Sequence, residues 1–128
     1  MLFATVACLA VACTSQTLAA PHTGTRLEVP PRIATALRQA GFPVQKRCGF
    51  VDGPGVSACW LSIEQSGYSV HVILHRSLRD AKVVYRRLSN RWATGTRVAM
   101  FGKLIVSGFR VPPREWQTIV AVVQRSAR

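Results

Sequence analysis

Acidic residues are the scarcest feature of this chain: 5 Asp and Glu stand against 17 Lys and Arg in 128 residues, for a formal net charge of +12. An enzyme built on carboxylate acid–base chemistry has little to draw on. Lysine is nearly as scarce, because 14 of the 17 bases are arginine. Residues 1–25 contain no charged side chain, so the whole excess sits on roughly a hundred residues. Nowhere does an apolar run reach the ~20 residues that span a bilayer. No G-x-S-x-G, Gly-rich phosphate loop or H-E-x-x-H is present, which removes the commonest hydrolase, nucleotide and metalloprotease signatures.

What is present begins with an apolar run, Leu2 to Cys13 (LFATVACLAVAC), of signal-peptide length but without the usual basic start. Thr17-Leu18-Ala19 offers the small residues read by a signal peptidase, which would release a soluble exported product. Ala10-Val11-Ala12-Cys13, after Leu9, resembles a bacterial lipobox, and that resemblance implies lipidation at Cys13 and an anchored product. Residues 1–19 are therefore expected to be a signal peptide or lipoprotein leader and 20–29 a small, polar, proline-bearing tether. Residues 30–128 are left for one domain.

Cys48 and Cys59 are the cysteines beyond the leader, and in an exported protein such a pair is most simply a disulfide. The turn signal Asp52-Gly53-Pro54-Gly55 brings their flanks together. Closing a loop of about a dozen residues stabilises by roughly 3 kcal/mol on the chain-entropy model. Cys48, Cys59, His71 and His75 superficially resemble a zinc-finger set. However, ten residues separate the cysteines and the histidines fall on a strand, roughly 13 Å from one another at about 3.3 Å per residue. No metal and no cofactor are expected.

Within the domain, Val29-Pro30-Pro31 opens a helix with Ile33, Ala34, Leu37 and Ala40 on its apolar stripe, ended by Gly41. Val44 to Val51 reads as a poor, edge-like strand. Ser57 to Gln65 and Tyr68 to His75 alternate as strands around the two-residue turn Ser66-Gly67. Ser77 with Asp80 forms a capping box for a second helix, whose apolar stripe runs through Leu78, Ala81, Tyr85, Leu88 and Trp92. Val98 to Ser107 is expected to be one long strand. A last helix starts at Pro112-Pro113, with Glu115 in its first turn and Trp116, Ile119, Val120 and Val123 inward. The order α-β-β-β-α-β-α predicts an α+β sandwich: a mostly antiparallel sheet of three to four strands with about three helices on one face. The other face would carry Trp60, Ser62, Glu64, His71, Ile73, His75, Phe101 and Lys103.

Two surfaces follow as candidates for binding. Arg79, Lys82, Arg86, Arg87 and Arg91 occupy the outward side of the second helix and could meet phosphates or anionic lipid headgroups. Trp60, His71, Phe101 and Lys103 would form a contact surface on the sheet. Against these stand a merely solvated helix face and an arginine excess inherited from genome composition. Glu64 and His71 could meet across the hairpin, yet such a pair is more often a surface contact than a catalytic one. The expected function is a non-catalytic exported cell-envelope domain that binds an envelope protein or an anionic polymer or lipid. A cytosolic nucleic-acid-binding protein and an inhibitor or immunity-type protein against an acidic enzyme are the alternatives.

Overall fold

The computed structural model describes residues 26–51, 56–91 and 94–128. The expected leader with Cys13, the expected turn over 52–55 and Trp92 lie outside the described residues. The fold is α+β, with helices α1 (Pro31–Gln39), α2 (Leu78–Ser89) and α3 (Pro113–Ser126). Its strands are β1 (Leu27–Glu28), β2 (Val44–Phe50), β3 (Ser57–Gln65), β4 (Tyr68–Leu74), β5 (Thr96–Phe101) and β6 (Leu104–Phe109).

These six strands form one mixed sheet, not a sheet of three or four. Two features account for the difference. The segment expected to be tether supplies β1, which pairs parallel with β3 at Ala58 and Cys59. The long strand expected over Val98 to Ser107 is instead a hairpin, β5–β6, turning at Gly102-Lys103 with Gly102 at φ 60°. The run is apolar on both sides of that turn, so hydrophobicity alone does not mark it. The glycine ahead of a second β-rich run is the signal that does.

β3 pairs with three strands and is buried on both faces, through Leu61 and Ile63 on one and Ala58 and Ser62 on the other. One of its edges takes β2 over Ser57 to Ile63. The other takes β1 and then, from Leu61 onward, β4. β6 lies beyond β4 and β5 beyond β6. Because β4 and β5 both run antiparallel to β6, they run parallel to each other, and the chain needs a crossover between them. Helix α2 is that crossover.

The main core fills one face of the sheet. Val44, Leu61, Ile63, Val70, Val72, Leu104 and Val106 meet Ile33, Ala34 and Leu37 of α1 and Ile119, Val122 and Val123 of α3. Each such aliphatic side chain contributes about 1.5–3 kcal/mol through burial. Both prolines expected to open helices do so, and Gly41 follows α1 at φ 95° while the Phe42 N–H bonds the Leu37 carbonyl.

The helices do not share one face. Ile105 alternates away from Leu104 and Val106, yet it is only 1% exposed, and α2 packs on β5 and β6. α2 therefore covers the second face at its β5–β6 end, with Ala81 fully buried. Leu78 stands about 60° round the helix from Ala81 and is 44% exposed, not part of the buried stripe.

Candidate functional site

The second helix is built as its residues dictate. Ser77 caps it by accepting the Asp80 N–H at 3.0 Å, and Asp80 also takes Arg76 Nε at 3.3 Å. Past that turn the outward side is basic. Arg79, Lys82, Arg86, Arg87 and Arg91 are all exposed, and among the described residues no carboxylate lies within ion-pair distance of any of them. Arg91 falls just past the helix end, beyond the Asn90 cap, while Lys82 lies three residues after Arg79 and four before Arg86 on α2. Such like-charged neighbours repel on a helix surface. Val83, 56% exposed, sits among them. Two carboxylates elsewhere are engaged: Glu28 with Lys46, and Glu64 with Arg47 at 3.4 Å.

Over β2, β3 and β4 the second face lacks the α2 packing seen on β5 and β6, although Ala58 and Ser62 are buried there. Trp60 and His71 lie there as expected, with Ser62 and Glu64. The Trp60 indole leans across β2, where a methyl group on Gly49 would stand 3.1 Å from its Cη2. Phe101 and Lys103 are not part of this surface. The turn at Gly102-Lys103 pairs Phe101 with Leu104, which reverses the face assignment of β5 and puts Phe101 against the main core. Lys103 sits in the turn itself, and its carbonyl accepts the His75 N–H at 2.9 Å. The expected four-residue contact surface thus contracts to two residues.

Ser62, His71 and Glu64 stand side by side, which are the residue types of a nucleophile–base–acid arrangement. The geometry is not that of one. Ser62 is 1% exposed and its Oγ makes no hydrogen bond among the described residues, so His71 does not activate it. Glu64 is turned to Arg47. Burial holds the His71 imidazole below its ordinary pKa, against the pull of Glu64 and with the push of Arg47.

Cys48 and Cys59 are joined directly across β2 and β3 as a disulfide, with Cα atoms 4.0 Å apart. Among the described residues no group of three or more His, Cys, Asp or Glu could hold a metal ion. No helix among them is long and apolar enough to cross a membrane. Compared with known proteins, the chain matches no family model, no curated protein and no solved structure.

Sequence reasoning missed the outer edge of β2 and the Arg38 side chain beside it, where Nη2 reaches the Val44 carbonyl at 3.1 Å. The edge-like composition of Val44 to Val51 was the available signal. Which backbone groups face outward depends on pairing register, and composition does not carry that.

Proposed function

We propose that this chain is a non-catalytic exported domain of the cell envelope that docks on a polyanionic surface through α2. The observation that carries this reading is the row Arg79, Lys82, Arg86, Arg87 and Arg91, exposed and without an acidic partner among the described residues. A helix that places bases at repulsive spacings gives up some stability for its charge, which an anionic partner would restore. The Cys48–Cys59 disulfide supports an oxidising compartment, as does the leader with its peptidase-like and lipobox-like exits at Ala19 and Cys13. An extracytoplasmic location in turn favours lipid headgroups or acidic wall polymer over nucleic acid.

The test is co-sedimentation of the full chain with phosphatidylcholine vesicles, with and without phosphatidylglycerol, and competition by soluble polyphosphate across a salt series. Binding that requires the anionic lipid and weakens steeply with salt is the expected result. At about 1 kcal/mol per basic residue near an anionic surface, the triple substitution Lys82→Gln, Arg86→Gln, Arg87→Gln should weaken it roughly a hundredfold. Equal binding by the triple variant would remove α2 from the reading. Intact mass of protein from membrane and soluble fractions checks export: lipid on Cys13 or loss of the leader is expected, and an unprocessed chain with reduced cysteines in the cytosol would move the nucleic-acid reading to first place.

A further inference from the structure

β2 is a long strand whose outer edge pairs with no other strand among the described residues. The Val29 N–H bonds the Cys59 carbonyl at 3.3 Å, so that carbonyl points away from β2. Cys48–Cys59 is therefore a non-hydrogen-bonded pair of the ladder, in keeping with its close Cα separation of 4.0 Å. Alternation makes Val44–Ile63, Lys46–Leu61 and Phe50–Ser57 non-hydrogen-bonded pairs as well. The N–H and C=O groups of Val44, Lys46, Cys48 and Phe50 thus face outward from the sheet. Arg38 takes the Val44 carbonyl. Among the described residues nothing takes the backbone groups of Lys46, Cys48 or Phe50.

Side-chain surface flanks this edge on both sides. Toward the main core, a cavity of about 160 Å³ lies between α1 and the β2–β3 ladder, lined by Ala34 and Leu61 among apolar groups and by Arg38, Lys46 and the Lys46-paired Glu28 among charged ones. Toward the second face stand Arg47 and the Trp60 indole over Gly49. At the far end Phe50 is 73% exposed.

We propose that β2 receives an extended acidic segment of a partner protein as an added strand, paired along Lys46 to Phe50. A residue directly across from Lys46 would project toward the α1 side, between Lys46 and Arg38. Its neighbours would project to the second face beside Arg47. Acidic side chains meet a base at both kinds of position. The ion pairs these bases already make, Lys46 with Glu28 and Arg47 with Glu64, are solvent-exposed and cost little to share. Bases on an edge strand also discourage indiscriminate pairing, so the same residues that admit an acidic strand turn away a basic one. A second copy of this chain is disfavoured as the occupant, because each copy carries a formal +12. The Cys48–Cys59 disulfide holds the receiving strand in place before the partner arrives. This edge is separate from α2, which packs on β5 and β6.

The test uses the full chain and a fluorescein-labelled, acetylated and amidated peptide as long as β2 that alternates valine with glutamate. Anisotropy reports binding, and amide hydrogen exchange reports where it occurs. Saturation at one peptide per chain is expected, with exchange slowed at Lys46, Cys48 and Phe50. Lys46→Gln removes one base and keeps the backbone donor, while Lys46→Pro removes the outward N–H at a position an edge strand tolerates. Lys46→Gln should weaken binding a few-fold, and Lys46→Pro by a further factor of about ten or more. Retained exchange protection in β3, β4 and β6 shows that the proline variant is folded, and if it is not, the protection map on the wild-type chain decides alone. Equal binding by the two variants, protection confined to α2, or no protection at the β2 edge at millimolar peptide would each overturn the proposal. Slowed exchange at those amides without peptide, rising with protein concentration alongside a doubled mass, would also overturn it and make the occupant a second copy.

Discussion

The Trp116 ring lies against the backbone of Gly108: a methyl group placed on that glycine would stand 2.9 Å from Trp116 Cζ3 and 2.6 Å from Val111 Cγ2. Gly108 is on the core face of β6, paired with Val70 and Arg97, at the point where the chain leaves the sheet for α3. Its lack of a side chain lets α3 close over this end of the core. Gly108→Ala should therefore destabilise by about 1–3 kcal/mol through overpacking, read as a lower denaturant midpoint at unchanged slope. A midpoint equal to that of the parent chain would mean that α3 can shift at no cost.

The disulfide should matter to stability, since it staples the hairpin that carries the edge strand. Paired substitution Cys48→Ser with Cys59→Ser should cost roughly 2–4 kcal/mol, measured by chemical denaturation with the parent chain in its oxidised form. Cys48 is exposed whereas Cys59 is buried, so a reductant reaches the bond from the Cys48 side. Reduction should raise the intact mass by that of two hydrogens and lower the midpoint toward that of the double-serine variant.

His71 gives a pH dependence of known sign. Its pKa is lowered in the folded state, chiefly by burial, with Glu64 opposing and Arg47 reinforcing the shift. The folded form then binds the proton less tightly than the unfolded form, whose value is about 6.5. The stability from this group is complete above that value and declines as pH falls below it, until the folded pKa is passed. Denaturation curves between about pH 7.5 and 5 should show the decline, and His71→Gln should flatten it. The same slope in both proteins would assign the dependence to another group.

Lys82 separates the stability of α2 from its charge. Lys82→Glu replaces two repulsive neighbours, Arg79 and Arg86, with two attractive ones at roughly 0.2–0.5 kcal/mol each. The variant should melt slightly higher than the parent while binding phosphatidylglycerol vesicles more weakly. Unchanged vesicle binding would show that the exposed bases of α2 are only a solvated helix face.

Much of this architecture is legible locally. Ser77 and Asp80 announce the start of α2, and the structure has the cap at 3.0 Å. Ser66-Gly67 joins β3 to β4 with Gly67 at φ 84°, and Pro113 opens α3 within one residue of expectation. The cysteine pair and the alternation of Leu61 with Ile63 and Val70 with Val72 hold in the same way. Gly102-Lys103 was harder, because its flanks are apolar over the whole run from Val98 to Ser107. Missing that turn moved Phe101 to the wrong face, since side chains alternate with every residue and a hairpin restarts the count.

The sequence by itself determined the class of the fold, the cysteine pairing and the basic outward row of α2. Each depends on residues within a few turns or a short loop of one another, where spacing translates directly into geometry. The tertiary structure alone decided that β1 joins the sheet, that α2 crosses to the second face, and that the backbone of Lys46, Cys48 and Phe50 faces outward. Those outcomes rest on which distant strands pair, in what direction and register. Hydrogen-bond ladders close between segments far apart in the chain, and nothing in the local pattern of either partner names the other.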